Sequence, residues 1–275
     1  MTTESDIALK IQQFLAYQSA MGAESFLAAQ GQNRFGKVDA GSATAQVETN
    51  KPAVATTAAS APARLGRTPD VVAHAQALAA RANTVEELRA TVEDFDGCPL
   101  KETAINTVFA DGVPDSGLMF LGEAPGSDED RSGKPFVGPT GQFLDLMLGH
   151  IGVSRSSNAY LSNVVFWRPP GNRRPNPAEL ASCLPFTRRH IELVRPRVLV
   201  LLGGLALQNL IDPSLKITRA RGTWMRYELA DGTTVPVLPM LHPAYLARVP
   251  LAKSETWRDL LSLKAKLREL GHKLD

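Results

Sequence analysis

Cysteine is scarce in this 275-residue chain, which has two, Cys98 and Cys183. Two thiols are too few for a disulfide framework, an all-cysteine zinc site or a complete all-cysteine iron–sulfur site. Long hydrophobic runs are missing too: no stretch approaches the roughly 18 apolar residues of a membrane span. The first twenty residues carry Glu4, Asp6 and Lys10 without the apolar core of a secretory signal. A cytoplasmic protein with no membrane partner is therefore expected. Excess charge of either sign is also absent, since 30 Lys+Arg against 28 Asp+Glu leave +2. That excludes a histone-like basic protein or an acidic solvating tail, but not a local basic face. What remains is ordinary globular material, 44% hydrophobic and 21% charged, long enough for one or two domains of about 100–200 residues each.

Three segments differ in texture. In the first, residues 1–34, Ile7, Ile11, Phe14 and Leu15 recur at helical spacing. This suggests a short amphipathic helix, either tethered to dock a repair or replication partner or packed on the main domain. Residues 35–66 turn to Ala, Thr, Ser, Gly and Pro with few large apolar side chains. They read as a disordered linker, unable to bury enough surface to offset chain entropy. Residues 67–275 carry the periodic patterns of a folded domain. Helical spacing resumes near Pro69, and Thr84 with Glu87 resembles a capping box that opens a second helix with Leu88 on its buried side. Strand candidates follow at 107–110, 117–121, 160–165, 197–202, 223–229 and 235–240. Helices are expected at 141–151, 177–194 and 253–270. Strands alternating with helices predict an α/β domain, a small parallel sheet with helices on both faces.

Chemistry-bearing residues gather after three of these strands, where ligands sit in open α/β sheets. The first loop reads Gly122-Glu123-Ala124-Pro125-Gly126, then Glu129-Asp130, then Gly133-Lys134-Pro135-Phe136-Val137-Gly138. It could cradle a phosphate at a helix N-terminus, but lacks the ending of a P-loop and the spacing of a dinucleotide fingerprint. The second pairs Asn163 with Arg168-Pro169-Pro170-Gly171-Asn172-Arg173-Arg174. The third is His242-Pro243-Ala244-Tyr245-Leu246, with Arg248 just beyond. Taken singly, each has an ordinary structural role: a turn asparagine, a hydrogen-bonded loop histidine, a core phenylalanine. Seven arginines between Arg168 and Arg197 suit a polyanionic ligand beside an acidic recess, or else a solvated basic face.

Taken in order, GEAPG, ED, GKPFVGPTGQFL, SNVV, WRPPGNRRPNPAE, VLVLLGGLAL and HPAYLAR with a closing W-R-D-L helix resemble the family 4 uracil-DNA glycosylases. The likeness runs from about Phe95 to Leu263. It implies a small parallel sheet wrapped by helices and an enzyme that hydrolyses the N-glycosidic bond of deoxyuridine in single- or double-stranded DNA. The product would be free uracil and an abasic site, and the enzyme a monomer. A base in duplex DNA must be extruded before its glycosidic bond is reachable. The resemblance places Phe136 where the flipped uracil stacks, Asn163 where its N3–H and O4 are read, and His242 where a donor meets O2. It makes Glu123 and Glu129 candidates for orienting the attacking water or holding the loop. Gly122, Ala124, Pro125 and Gly126 would line the base, Arg168, Arg173, Arg174 and Arg248 would meet DNA, and Leu246 would fill the gap left by the extruded base.

The chain departs from that pattern in its cysteines. Members of the family hold a [4Fe–4S] cluster through four of them; Cys98 and Cys183 match two positions, while Phe95 and Trp167 occupy the others. Neither Phe nor Trp ligates iron, so no cofactor is expected, and the two rings would fill the vacated space, with the indole N–H needing a partner. The arginine-rich loop also lacks the nucleophilic histidine of the DNA-crosslinking relatives, which disfavours covalent trapping. A monofunctional hydrolase is the expectation. The competing class is a nucleic-acid- or uracil-binding module that keeps the fold without turnover.

Overall fold

The computed structural model describes residues 68–274; the helix and linker read at residues 1–34 and 35–66 lie outside them. The described chain opens with helices α1 (Thr68–Arg81) and α2 (Val85–Asp94). The Thr84 hydroxyl accepts from the Glu87 amide at 3.1 Å. The Glu87 carboxylate reaches back one residue further than in a capping box, to the Asn83 N–H at 2.7 Å. Either way two orphan donors of the first turn are satisfied.

Six strands follow in one sheet: β1 (Ala110–Gly112), β2 (Leu118–Gly122), β3 (Tyr160–Asn163), β4 (Val198–Leu202), β5 (Met225–Glu228) and β6 (Thr234–Met240). Their spatial order is β1-β3-β2-β4-β6-β5. The four central strands are parallel, as expected, and the two edge strands run antiparallel to their neighbours. Strands β2 and β4 are buried along their whole length, which is why they read as continuous apolar runs rather than alternating ones. Alternation still assigns each side chain to a layer. Met119, Leu121, Leu199 and Leu201 face a core shared with Leu88, Val92 and Phe186. Leu118, Phe120, Val198 and Val200 face a second one with Leu144, Leu148, Leu260 and Leu263.

The helices after β2 are α3 (Ser127–Ser132) and α4 (Pro139–Gly149); α5 (Pro177–Val194) follows β3, and α6 (Gly204–Leu210) and α7 (Ile217–Ala220) follow β4. After β6 come α8 (Pro243–Arg248) and α9 (Lys253–Glu269). Several expectations need correction. The strand read at 107–110 is displaced to 110–112: Val108 N–H meets the Phe166 carbonyl alone, and paired register with β3 starts only at Ala110. The strand read at 160–165 ends at Asn163, because Val164 and Val165 donate to Gly122 and Glu123, where β2 is already turning away. The His-Pro segment is not a plain loop; it forms α8, with His242 as its cap and Pro243 at its first position.

The seven arginines between Arg168 and Arg197 do not form one basic face. Arg189 donates to the Ala82 carbonyl, Arg195 pairs with Asp231, and Arg197 reaches the Leu270 carbonyl. These three join elements rather than await a ligand.

Between Phe95 and Trp167 the core is filled. Phe95 packs edge-on against Phe186 with centroids 4.9 Å apart, and the Trp167 indole N–H donates to Thr107 Oγ1 at 3.0 Å. Cys98 and Cys183 lie with their sulfurs 3.9 Å apart, in van der Waals contact, and both are buried free thiols. Two thiols in mutual contact, in a core shared with Phe95 and Trp167, do not fit an iron–sulfur cube, which needs four ligands spread around it. Among the described residues no three His, Cys, Asp or Glu side chains group as metal ligands, and no helix is long and apolar enough to cross a membrane.

Deeper in the same core, His190 is fully buried, stacked on Phe109 at 4.4 Å, with Nε2 3.0 Å from the Tyr160 hydroxyl. Its Nδ1 has no partner. Burial, then the nearby Arg89 charge, pull its pKa from 6.5 to about 3. Between those values the unfolded chain holds the proton and the folded chain does not. This contribution to stability is therefore complete above pH 6.5 and is lost as pH falls toward 3. Urea unfolding at pH 7 and pH 5 should show the parent losing more stability than a His190→Leu variant; equal losses would mean the ring titrates freely.

Candidate functional site

The carboxyl ends of β2, β3, β4 and β6 converge on a cleft of about 610 Å³. It is lined by Glu123, Ala124, Pro125, Gly126, Glu129 and Phe136 from the β2 side, Asn163, Arg173 and Arg174 from the β3 side, and His242 and Arg248 from the β6 side. Of the residues proposed from the sequence, Gly122, Arg168 and Leu246 are not part of this lining.

Parallel pairing puts Gly122 directly beside Asn163 at the sheet's edge. A Cβ on Gly122 would collide with both the Asn163 amide oxygen and the Phe136 ring. A glycine here is what lets ring and amide share one recess. Asn163 is 2% exposed, and its carboxamide has no hydrogen-bond partner among the described residues. Its amide atoms are not among the buried unpartnered ones; they face the cleft, where a ligand can use both donor and acceptor.

Phe136 is held at φ 55°, a strained conformation for a bulky residue and one met at ligand sites. Glu129 is part of the reason. Its Oε2 accepts from Gly126 N–H at 3.0 Å, and its Oε1 from Val137 N–H at 3.0 Å and Gly138 N–H at 2.9 Å. The carboxylate is thus committed to three backbone amides, and a Cβ on Gly126 would lie 2.7 Å from Oε2. These bonds fit the loop-holding role of the two open to it from the sequence. Glu123 is different: its carboxylate lines the cleft, with Arg174 Nε at 3.5 Å as its ion-pair partner.

His242 approaches Phe136 with ring centroids 6.0 Å apart. The Ala244 N–H donates to its Nδ1 at 3.2 Å, so in the neutral ring the proton sits on Nε2. Burial, then the Arg248 charge, lower its pKa from 6.5 to about 4. At neutral pH the cleft therefore contains an uncharged imidazole that donates from Nε2. Gly203, at φ 100°, allows the close approach of the β4–α6 turn to the histidine Cβ.

Three expected contacts change. Leu246 is 0% exposed and packs α8 into the domain, so it cannot enter DNA without unpacking its own helix. The next leucine along the chain is Leu251, 88% exposed, in the turn Pro250–Ala252 between α8 and α9. Arg173 gives its fork to Glu179 at 2.8 and 2.6 Å, and Glu179 also caps the Asn176 amide. This arginine fastens the loop to α5. Arg168 donates to Asn172 at 2.7 Å. Arg174 keeps an exposed side chain at the mouth. Thr140 and Tyr245 also line the cleft, inside quoted motifs but without an assigned role, and Thr218 lines it from outside any motif.

Replacing Glu129 with Gln removes one acceptor oxygen and turns an NH₂ toward amides that need acceptors. Backbone hydrogen exchange at Gly126, Val137 and Gly138 should quicken by about tenfold or more, on the scale of 1–3 kcal/mol for an unsatisfied buried donor. Unchanged protection would mean the three bonds do not hold the loop.

Residues 109–261 match the family model described as the uracil DNA glycosylase superfamily. The chain is 37% identical over 172 residues to the type-4 uracil-DNA glycosylase of Thermotoga maritima, covering 61% of this chain and 85% of that one. It is 40% identical over 162 residues to the type-4 enzyme of Archaeoglobus fulgidus, covering 58% and 80%. With the Pyrobaculum aerophilum type-4 enzyme the identity is 34% over 180 residues, 64% and 91% of the two chains.

Proposed function

Because the chain belongs to the uracil DNA glycosylase superfamily, we propose that its cleft takes a uracil flipped out of DNA and hydrolyses the bond to deoxyribose. The observation that carries this is the meeting of three uncommitted groups: the Phe136 ring, the unpartnered Asn163 amide and the Nε2–H of a neutral His242. Stacking on Phe136 accepts any base. Asn163 makes the choice, accepting from N3–H and donating to O4; cytosine offers the reverse pattern and leaves buried polar groups unpaired. When the C1′–N1 bond breaks, its electron pair leaves with N1 and charge grows on O2. A donor already placed at O2 stabilises that change more than the ground state. Glu123, whose carboxylate opens on the cleft, orients the water that adds to C1′, and the proton this water sheds neutralises the released uracil anion. One chain carries every residue used, which supports a monomeric enzyme, and the filled space at Phe95 and Trp167 supports one that needs no iron.

A uracil-containing labelled oligonucleotide, incubated and then cleaved with hot alkali, tests the activity. No cleavage above an enzyme-free control would favour a binding module. In single turnover, His242→Ala should slow excision by about 10²–10³. Since the ring stays neutral down to about pH 4, the parent rate should not fall through His242 protonation between pH 7 and 5. A rate that drops tenfold per pH unit there and levels in the variant would contradict this. The active preparation should hold far less than one iron per chain; a full cluster complement would refute the iron-free reading.

At the rim, we assign phosphate contact to Arg174 and Arg248 and base-gap filling to Leu251. Arg174→Ala should flatten the salt dependence of DNA affinity by about one phosphate. Leu251→Ala should slow excision from duplex more than from single strands, since only a duplex leaves a gap to fill. Equal losses on both substrates would return Leu251 to an ordinary surface residue.

A further inference from the structure

Arg155 belongs to no motif and does not line the cleft, yet all five of its N–H donors are engaged, two of them on the segment that carries Phe136. Nη2 donates to the Phe136 carbonyl at 2.6 Å and Nη1 to the Pro135 carbonyl at 2.8 Å. Nε and Nη2 share Asp145 Oδ1 at 3.0 and 2.9 Å, and Nη1 meets Asp111 Oδ2 at 3.1 Å. A guanidinium has no donor beyond these five. Asp145 is on α4 and Asp111 on β1, so the arginine is itself fixed by two elements of the scaffold.

The position of the Phe136 carbonyl matters because the Val137 N–H belongs to the same peptide plane. In a trans peptide the two groups point in opposite directions. Glu129 takes the N–H at 3.0 Å and Arg155 takes the carbonyl. Gly141, in the first turn of α4, leaves no room behind: a Cβ there would overlap the Phe136 carbonyl. The plane that follows Phe136 is therefore gripped at both ends and backed by a helix. Rotating it would swing the ring, which already sits at a positive φ that nothing local favours.

We infer that Arg155 is a positioning residue for the reaction, acting through the Phe136 peptide plane to hold the stacking ring against the flipped base. This rests on the reading of the cleft as a uracil pocket. A side chain with three donors on a point charge cannot reproduce the fork, so Arg155→Lys is not a conservative change here.

The test is a double-mutant cycle in single-turnover excision with enzyme in excess, using Arg155→Lys, Phe136→Ala and the pair, each shown by circular dichroism to be folded at the assay temperature. Arg155→Lys should slow excision by about 10–100-fold, the scale expected for a displaced positioning contact. Affinity for abasic product DNA, which has no base to stack, should change less than about twofold. Once the ring is gone, Arg155→Lys should cost less than about threefold more. Additive effects, or excision at the parent rate in folded Arg155→Lys, overturn the inference. If Arg155→Lys does not fold, Asp145→Asn, which loosens two of the five donors, replaces it in the same cycle with the same criteria. A parent protein that releases no uracil would remove the pocket reading and this role together. An active parent with an additive cycle would remove only the role of Arg155.

Discussion

The site depends on one carboxylate spent entirely on backbone. Glu129 ties the turn after β2 to the segment before α4 by taking three amides from two stretches of chain. Without it, the Phe136 segment would have two orphaned donors and the turn after β2 a third, and the positive φ at Phe136 would lose one of its two anchors. Charge-assisted bonds of this kind are roughly twice as strong as neutral ones, which suits a loop held in a conformation its sequence does not prefer. Glu123, by contrast, accepts no backbone amide and is paired only with Arg174.

Around that brace the sheet does the placing. Because β2 and β3 are parallel and in register, Gly122 and Asn163 end at the same level. The β6 strand, two places along, delivers His242 to the cleft from the other side. Asn163 and His242 thus sit at strand ends while Phe136 rides on the braced loop, and glycines at 122, 126 and 203 keep neighbouring side chains from blocking the approach. Sites mounted this way hold their geometry more closely than sites on free loops.

Much of this was legible in the sequence for definite physical reasons. The apolar runs of β2 and β4 announce strands buried on both faces, and the 177–194 helix is marked by Asn176, Pro177 and Glu179 at its start. Gly122, Asn163 and His242 were readable because their motifs fall after strands. What was not legible depends on contacts between distant segments. That Leu246 faces inward and Leu251 outward is decided by how α8 docks, since both are leucines near the same histidine. Arg173 and Arg174 are adjacent and chemically identical, yet Glu179 takes one and leaves the other. Arg155 lies 19 and 20 residues from the carbonyls it holds, outside any pattern of local spacing.

The distribution of charge within the cleft follows from what it is proposed to bind. Uracil is neutral until its bond breaks, so a charged group against its face or edge would lose hydration with no compensating charge on the ligand. The groups that meet at the recess fit this: an arene, an amide, and an imidazole kept neutral by burial and by Arg248. The cations stand further out, Arg248 and Arg174 at the lip, where a phosphodiester would meet them without deep desolvation. Arg248 then serves twice. In the resting enzyme it disfavours the imidazolium, and as negative charge develops on the departing base its positive field favours that charge. A protonated His242 would also attract the anion, but at the cost of burying a cation beside Arg248 before the base carries any charge. A neutral donor near a fixed surface cation avoids that cost and keeps the stabilisation for the transition state.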